Sequence, residues 1–342
     1  MVADSLARLR SWWTALPVRG RVALAGAVLT VVAGVVVAVV VLGTGGPRTR
    51  PAAPGGPVVS PLTGVPGAAG RVLAVKVDNV SFARPQTGLA AADVVYAAEV
   101  EGGLSRFLAV YDDRHLPPGD AIGPVRSARE TDLEILRAYG RAAFVYSGAL
   151  TGFLPVLAAA DVVNCSPSQA DAAFHRGPGA PPYNEYVSPA AALRHCPGAA
   201  PARDVGFRFG PAPDGGVAAG AYTARMPAAS FTFTWSPAAG KYLVALDGTA
   251  GRTTDGGPLG AATVVVQKVA ETTSPRGFMD SPGVRSPFAP TVGGGDAVVL
   301  RDGRRYDAAW SRPEPDGGTV FTFRGRRMTF RPGQVWVVLE PR

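Results

Sequence analysis

The chain has 342 residues, a formal net charge of +8 and a pI of about 9.9. Its basic residues are almost all arginine, since lysine occurs only at Lys76, Lys241 and Lys268, a bias typical of GC-rich bacterial genomes. No basic stripe with interleaved aromatics, zinc finger or RNA-binding signature accompanies the charge, so nucleic-acid binding is not expected. The positive field still favours anionic lipid head groups or wall polymers.

The first predicted element is a membrane span. Residues 22–42 are apolar or glycine without any charge, and four arginines in residues 1–21 precede them. At about 1.5 Å per residue, a helix of this length matches a hydrocarbon core of roughly 30 Å. Because basic flanks stay cytoplasmic, we predict a single-pass plasma-membrane protein with a cytoplasmic tail at 1–21 and the bulk of the chain extracellular. A cleaved secretory signal is the alternative, which the length of the apolar run disfavours.

Composition divides the remainder into a linker and two folded domains. Residues 43–60 are rich in glycine and proline, which predicts a flexible to semi-extended linker. Residues 61–199 mix strand and helix patterns, whereas residues 221–342 contain short apolar runs between Gly, Pro and Asp clusters. The predicted fold class is α+β: an N-terminal transmembrane helix, then a mixed α/β domain and a smaller all-β C-terminal domain.

Hydrophobic periodicity places the elements of both domains. In the first domain, strands are predicted at Val72–Val77, Val94–Val100, Leu104–Tyr111 and Phe144–Tyr146, and helices at Thr131–Tyr139 and Leu150–Ala160. In the second domain, strands are predicted at Phe231–Trp235, Tyr242–Leu246, Thr263–Val269, Ala297–Leu300, Val320–Phe323 and Val335–Leu339.

The segment EVEGGLSRFLAVY, residues 99–111, is predicted to form a hairpin. With its two glycines as a two-residue loop, Glu99 faces Arg106 across the strands, and Glu101 shares their sheet face. One interpretation is a cross-strand ion pair that contributes about 0.2–1 kcal/mol. The other is a polar ligand cleft, because two carboxylates and an arginine are a poor choice for a covered sheet.

A second polar segment, GPVRSARETDLEILRAYG, spans residues 123–140. Ser127 and Glu130 have the S-x-x-E spacing of a capping box, which predicts a helix start here. Arg126 and Arg129 flank that start, where free amides and the helix dipole favour an anion. Either these arginines bind a phosphate or carboxylate ligand, or they pair with nearby acidic residues.

Three further features carry weaker signals. Ser147 follows a predicted strand but lacks a G-x-S-x-G elbow, which favours a turn or a backbone-lined ligand contact over a nucleophile. Cys165 and Cys196 either form a disulfide outside the cell, worth about 3 kcal/mol in the chain-entropy model, or are two unpaired buried thiols. The three histidines form no HExxH or similar cluster. No metal ion or cofactor is therefore expected.

Several segments in a fixed order resemble the YerB-like bacterial family, whose domain is of unknown function (domain of unknown function 3048, N-terminal and C-terminal domains). The matching segments are VKVDNVSFARPQTGLAAADVVYAAEVEGGLSRFLAVY (75–111), GPVRSAR (123–129), SGA (147–149), PPYNEYVSP (181–189), FTWSPAAGKY (233–242), TVVVQ (263–267) and RPGQVWVVLEP (331–341). The resemblance implies a surface lipoprotein or a membrane-anchored envelope protein with no settled reaction. This chain departs from the pattern in its predicted uncleaved helix, which replaces a lipidated cysteine, and in Tyr183, which stands where members often have histidine.

The resemblance implies a polar set that forms a ligand cleft if it converges in space, and only local turns and ion pairs if it scatters. The candidate ligand-binding residues are Asp78, Asn79, Arg84, Gln86, Asp93, Glu99, Glu101, Arg106, Arg126, Ser127, Arg129, Ser147 and Asn184.

Three functions stay open at this point. The first is a membrane-anchored extracytoplasmic protein that binds a polar or anionic envelope component, such as a cell-wall or lipid-linked polymer. The second is an envelope-polymer phosphotransferase or hydrolase that uses Glu99 or Glu101 as acid or base. The third is a scaffold that binds a protein partner. Whether the chain is an enzyme stays undetermined by its sequence.

Overall fold

Short valine-rich runs bounded by glycine and proline dominate this chain, and they fold into strands. The computed structural model describes residues 58–254 and 256–342, in which 42% of the residues are in strands and 15% in helices. The helices of this part of the chain are α1 (Glu130–Leu136), α2 (Leu154–Ala159), α3 (Pro167–Ala170) and α4 (Pro189–His195). Short 3₁₀ turns lie at Ser81–Ala83, Leu89–Ala91, Glu101–Gly103, Arg137–Tyr139, Thr151–Phe153 and Asp171–Ala173.

The strands of the described residues are numbered in chain order. The first eight are β1 (Val72–Asp78), β2 (Val94–Glu99), β3 (Ser105–Asp112), β4 (Ala143–Val145), β5 (Val163–Asn164), β6 (Phe174–Arg176), β7 (Glu185–Val187) and β8 (Val217–Ala218). Then come β9 (Ala221–Met226), β10 (Ala229–Ser236), β11 (Lys241–Leu246), β12 (Thr249–Ala250), β13 (Arg252–Thr253), β14 (Gly256–Pro258), β15 (Gly260–Ala261) and β16 (Thr263–Val269). The last are β17 (Thr272–Thr273), β18 (Met279–Ser281), β19 (Val284–Arg285), β20 (Pro287–Phe288), β21 (Gly293–Arg301), β22 (Arg304–Arg312), β23 (Val320–Phe323), β24 (Arg326–Arg327) and β25 (Val335–Pro341).

One large sheet organises the described residues. Its strand order is β24-β23-β22-β21-β16-β25-β2-β3-β1-β4-β5, with β8 paired to β22. Strand β25 runs parallel to both β2 and β16. It therefore joins strands from the two predicted domains into a single sheet. The boundaries 61–199 and 221–342 remain a prediction.

The predicted fold class is wrong. A mixed α/β domain has helices that alternate with strands, but the described chain is mostly β, and its longest α-helices have 7 residues. The apolar periodicity of 131–139 gives only α1 and a 3₁₀ turn, because Gly140 adopts φ 74° and ends the helical run. The strand segments that suggested an α/β domain, β1 to β4, belong to the large sheet, and the helical segments between them are short.

The membrane-span prediction falls on residues 22–42, which lie outside the described residues, as does the tail at 1–21. Among the helices of 58–254 and 256–342, none is long and apolar enough to cross a membrane.

Apolar residues cover both faces of the large sheet. The apolar residues at even-numbered positions of β1 pack in one core with Ile135 and Leu136 of α1. The apolar residues at its odd-numbered positions pack in a second core with Phe231 and Phe233 of β10. Because side chains alternate along a strand, a sheet covered on both sides needs near-continuous apolar runs. That requirement explains why all seven residues of β1 are buried.

Cys165 and Cys196 form a disulfide in the structure, with a Cα–Cα distance of 5.9 Å. Cys165 follows β5, and Cys196 is the residue at which α4 ends. The bridge therefore ties the last helix of the first half of the chain to the edge of the large sheet.

Candidate functional site

Polar residues from separate segments meet where β1 and β4 end. These two strands are parallel neighbours, so the residues that follow them lie at the same edge of the sheet. The segment that begins at Gly123 crosses this edge. Val125 forms a bridge with Val77, and the Ser147 amide donates a hydrogen bond to the carbonyl of Arg126 at 3.1 Å. Sequence-distant polar groups are thereby held side by side.

Three charged residues lie on one face of the large sheet, near the end of β1. Asp78 of β1 is directly opposite Arg106 of β3, and Lys76 lies two residues before Asp78, on the same face. All three are buried. Charges at such depth need partners, because an isolated buried charge is costly.

Two nearby arginines have carboxylate partners. Arg126 Nε donates to Asp78 Oδ2 at 2.7 Å. Arg129 donates to Glu101 through both Nε, at 2.8 Å, and Nη2, at 2.7 Å. We call Arg106, Arg126 and Arg129 the arginine cluster.

Arg106 differs from the other two members of the arginine cluster. It is only 9% exposed, yet it forms no ion pair with any carboxylate of the described residues. Its hydrogen bond there is from Nη1 to the carbonyl of Ser127, at 3.1 Å. Burial and the charges of Arg129 and Arg126 together lower the pKa of Arg106 to about 10, although the charges of Asp78 and Glu101 raise it. The arginine cluster thus concentrates positive charge around a poorly compensated guanidinium.

A polar network fixes the loop beside the arginine cluster. Arg84 Nε and Gln86 Nε2 each donate to Asn79 Oδ1 at 3.1 Å. Asn79 Nδ2 donates to Ser105 Oγ at 2.9 Å, and Arg84 Nη2 also binds Asp247 at 2.7 Å. These contacts hold the residues after β1 against β3 and against the second half of the chain.

A cavity of about 300 Å³ opens beside this network. Phe82 and Tyr183 line it, and their rings stack with centroids 5.9 Å apart and planes inclined by 28°. The guanidinium carbon of Arg126 lies 5.6 Å from the centroid of the Tyr183 ring. We call Phe82 and Tyr183 the aromatic platform. Arg126 connects the arginine cluster to it.

Comparison with known proteins assigns the family. The profile of the protein of unknown function (DUF3048) N-terminal domain matches residues 62–201, and that of the DUF3048 C-terminal domain matches residues 222–337. The chain belongs to the DUF3048 family. The YerB-like resemblance seen in the sequence is therefore confirmed.

Two comparisons involve YerB of Bacillus subtilis. The protein named "Putative lipoprotein YerB" (strain 168) is 37% identical over 120 residues, which span 34% of this chain and 35% of that protein. The crystal structure of YerB has a similar fold, with a TM-score of 0.66 and 25% identity over 83% of this chain and 97% of that one.

The predicted register of the DUF3048 hairpin after β2 is wrong by one residue. Glu99 lies opposite Ser105, and Arg106 lies opposite Ala98. The reason is the connection, which is longer than two glycines: a 3₁₀ turn spans Glu101–Gly103. Glu99 and Arg106 are therefore not a cross-strand pair.

Glu99 instead lies against Glu271, a residue that the sequence analysis did not single out. Both line a cavity of about 350 Å³, and Oε2 of each carboxyl is buried without a donor among the described residues. Burial raises the pKa of Glu99, and burial together with the Glu99 charge raises the pKa of Glu271 to about 8. Because two adjacent carboxylates resist ionising together, the pair retains a proton near neutral pH.

Raising the pH from about 5 to about 8 is expected to lower the melting temperature through this pair. The folded-state pKa of Glu271, about 8, exceeds the ordinary value of 4.5, so the folded chain binds more protons in this window. The stabilisation of the fold by this bound proton is complete below pH 4.5 and is lost as the pH rises through about 8. Thermal unfolding across this range should show a shallower slope in Glu271→Gln and an unchanged slope in the exposed control Glu314→Gln. Equal slopes in all three proteins would contradict the shared proton.

The helix of the second polar segment begins two residues later than its capping-box spacing predicts. Arg129, not Ser127, precedes the first helical residue. Asp132 Oδ2 accepts a hydrogen bond from the Arg129 amide at 2.7 Å and so performs the capping role assigned to Glu130. Ser127 contributes its carbonyl oxygen to the arginine cluster.

Asp93 and Asn184 stand apart from the arginine cluster. Asp93 binds the amide of Asp112 at 2.5 Å, at the opposite end of β3 from Arg106, and burial raises its pKa to about 6. Asn184 Oδ1 accepts from Arg176 Nη1 at 3.1 Å and holds its own loop. The structure of this DUF3048 chain thus brings together Asp78, Glu101, Arg106, Arg126, Ser127, Arg129 and Ser147, and it places Asn79, Arg84 and Gln86 beside them. Glu99 lines a cavity together with Glu101, whereas Asp93 and Asn184 are separated from this group.

Sequence reasoning missed Lys76, Phe82 and Glu271 in this DUF3048 chain. Lys76 carried a readable signal, since it is the one charged residue inside the apolar run VLAVKV, and its Nζ lies 2.6 Å from Asp132 Oδ1. Phe82 and Glu271 carried none, because exposure and a partner from a distant segment are visible only in the folded chain.

Proposed function

We propose that this protein binds an anionic envelope component through the arginine cluster. The observation that carries the proposal is Arg106, a buried guanidinium without a carboxylate partner among the described residues. The Nη groups of the neighbouring Arg126 also donate to no described residue. Phosphate and carboxylate oxygens match the fork geometry of arginine, so an anion here would supply the charge that the fold leaves uncompensated.

We place this binding outside the cytoplasm, at the membrane, with the N-terminus of the chain on the cytoplasmic side. The name of the B. subtilis relative supports membrane attachment, since it contains the word lipoprotein. The Cys165–Cys196 disulfide supports an oxidising location. A cell-wall or lipid-linked polymer that carries phosphate or carboxylate groups is the component that this location offers.

Calorimetric titration of the full chain in lipid nanodiscs tests the proposal. Poly(glycerol phosphate) serves as the anionic polymer and dextran as the neutral one. We expect binding of the first only, with an affinity that falls as salt is added, because screening weakens contacts between charges. Equal binding of both polymers, or binding of neither, would refute the proposal.

Acid–base chemistry on an envelope polymer is the second candidate function, and the Glu99–Glu271 pair is the observation that favours it. A carboxyl group that retains its proton near pH 7 beside a cavity can act as a general acid. Incubation of the full chain with poly(glycerol phosphate) should then release phosphate or shortened chains, and Glu271→Gln should lose this activity while Glu314→Gln retains it. No product from the unaltered protein would exclude this reaction on that polymer.

A further inference from the structure

We infer that the ligand of this site is a saccharide with an attached phosphate or carboxylate group, and that its ring stacks on the aromatic platform. The inference rests on the proposed function and names the chemical class of the ligand. It depends on three observations: an exposed aromatic surface, a cavity beside it that has polar groups in its lining, and the position of Arg126 next to Tyr183.

The aromatic platform exposes an unusual amount of ring surface. Phe82 is 79% exposed, although a large apolar side chain is normally removed from water. Its ring stacks with Tyr183, and the guanidinium carbon of Arg126 lies 5.6 Å from the centroid of Tyr183. Two adjacent rings with this exposure present apolar surface to which a ligand ring can bind.

The cavity beside the aromatic platform is lined by groups that suit hydroxyls. Ser81, Ser105 and Asp247 line it together with Asn79. Asn79 and Ser105 bind each other, and Arg84 binds both Asn79 and Asp247. Sugar hydroxyls both donate and accept hydrogen bonds, so they can add to these contacts. At about 300 Å³, the cavity is at the lower end of the volumes of small-molecule sites, a size that suits one sugar ring rather than an extended chain.

Arg126 links the ring-binding and the anion-binding parts of the site. Its Nε pairs with Asp78 at 2.7 Å, and its guanidinium carbon is 5.6 Å from the centroid of Tyr183. An anion bound at Arg126 therefore lies beside the aromatic platform. A sugar that carries a phosphate or carboxylate group combines a ring for the platform and an anion for Arg126 in one molecule.

A planar nucleobase is a poorer match to the same groups. A base forms its hydrogen bonds along its edges, in the plane of the ring, whereas these polar side chains come from the loop after β1, from β3 and from the segment after β11. Groups from three segments suit a non-planar ring with hydroxyls on several sides. A nucleotide is therefore a suitable competing probe.

Binding of four small probes to the full chain tests the inference. The probes are N-acetylglucosamine 1-phosphate, inorganic phosphate, N-acetylglucosamine and uridine 5′-monophosphate. We expect the sugar phosphate to bind more tightly than phosphate or the neutral sugar alone. In Phe82→Ala its affinity should fall roughly 3- to 10-fold, the range for one lost aromatic contact, while phosphate affinity stays unchanged. Phe82→Trp should retain binding, and Val217→Ala, an exposed apolar position outside the cavity, is the matched control.

The outcomes separate this inference from the proposed function. If phosphate, the sugar phosphate and poly(glycerol phosphate) all fail to bind the unaltered protein, the proposed function is wrong. If phosphate binds but the sugar phosphate binds no more tightly, only the saccharide assignment is wrong. The same holds if Phe82→Ala binds both probes as tightly as the unaltered protein does. Tighter, Phe82-dependent binding of the nucleotide would also overturn that assignment. Because Phe82 is exposed, its replacement should leave the melting temperature unchanged.

Discussion

Replacing Arg126 with alanine is expected to weaken binding of poly(glycerol phosphate) about 10- to 100-fold, the range for lost hydrogen bonds to a charged group. Arg126 is the member of the arginine cluster that contacts both Asp78 and Tyr183, so its loss removes an anion contact and the support of the aromatic platform. Arg126→Lys keeps the charge but lacks the paired donors of the guanidinium, so its affinity should lie between those of the unaltered protein and Arg126→Ala. Titration of the full chain in nanodiscs measures the affinities of all three proteins.

The control for this experiment is Arg326→Ala. Arg326 is an exposed residue of β24, so its replacement removes the same unit of positive charge from a different part of the surface. If Arg326→Ala weakens binding as much as Arg126→Ala, the effect comes from net charge and the arginine cluster is not the site. Melting temperatures of both variants establish that each is folded.

Replacing Asp132 with asparagine is expected to lower the free energy of unfolding by about 3–5 kcal/mol. Asp132 is the ion-pair partner of Lys76, at 2.6 Å, and both side chains are at most 1% exposed. Burial already lowers the pKa of Lys76, and Asp132 opposes that shift. Without the carboxylate, the ammonium group must either stay charged and unpaired or lose its proton. Urea unfolding measures the change.

The double variant Lys76→Met/Asp132→Asn tests the reason for this loss. It removes both charges and keeps a side-chain oxygen that can accept from the Arg129 amide, so it should recover most of the stability, because no buried charge is left unpaired. Asp316→Asn is the matched control, because the Arg137–Asp316 pair is 52% and 72% exposed and should contribute little to stability. A loss in Asp316→Asn as large as in Asp132→Asn would contradict the role of burial.

The strands could be predicted because their signal is local. The runs at Thr263–Val269 and Val320–Phe323 have the bounds of β16 and β23, since short β-branched segments between glycine and proline leave few other conformations. The architecture could not be predicted in this way. Nothing within β25 indicates that it pairs with β2, and without that pairing the two halves resemble separate domains of different class.

The candidate site was predictable to a similar degree. Segment order and polar composition indicated Arg106, Arg126 and Arg129, which the fold brings together from β3 and from the residues before α1. The hairpin register was not predictable, because one additional loop residue moves Arg106 from Glu99 to Ala98. The partners Glu271 and Asp247 come from the second half of the chain, and only the fold places them here.

The central position of β25 also bears on when the sheet can close. Val95 and Val264 are both aligned with Trp336, whose indole is fully buried against Phe107 and Phe233. Until residues 335–341 have been synthesised and delivered to the same compartment, β2 and β16 each lack a neighbour and expose an apolar edge. Because synthesis begins at the N-terminus, both strand edges stay unpaired until the final segment is available. Truncation before residue 335 would turn both edges into templates for aggregation.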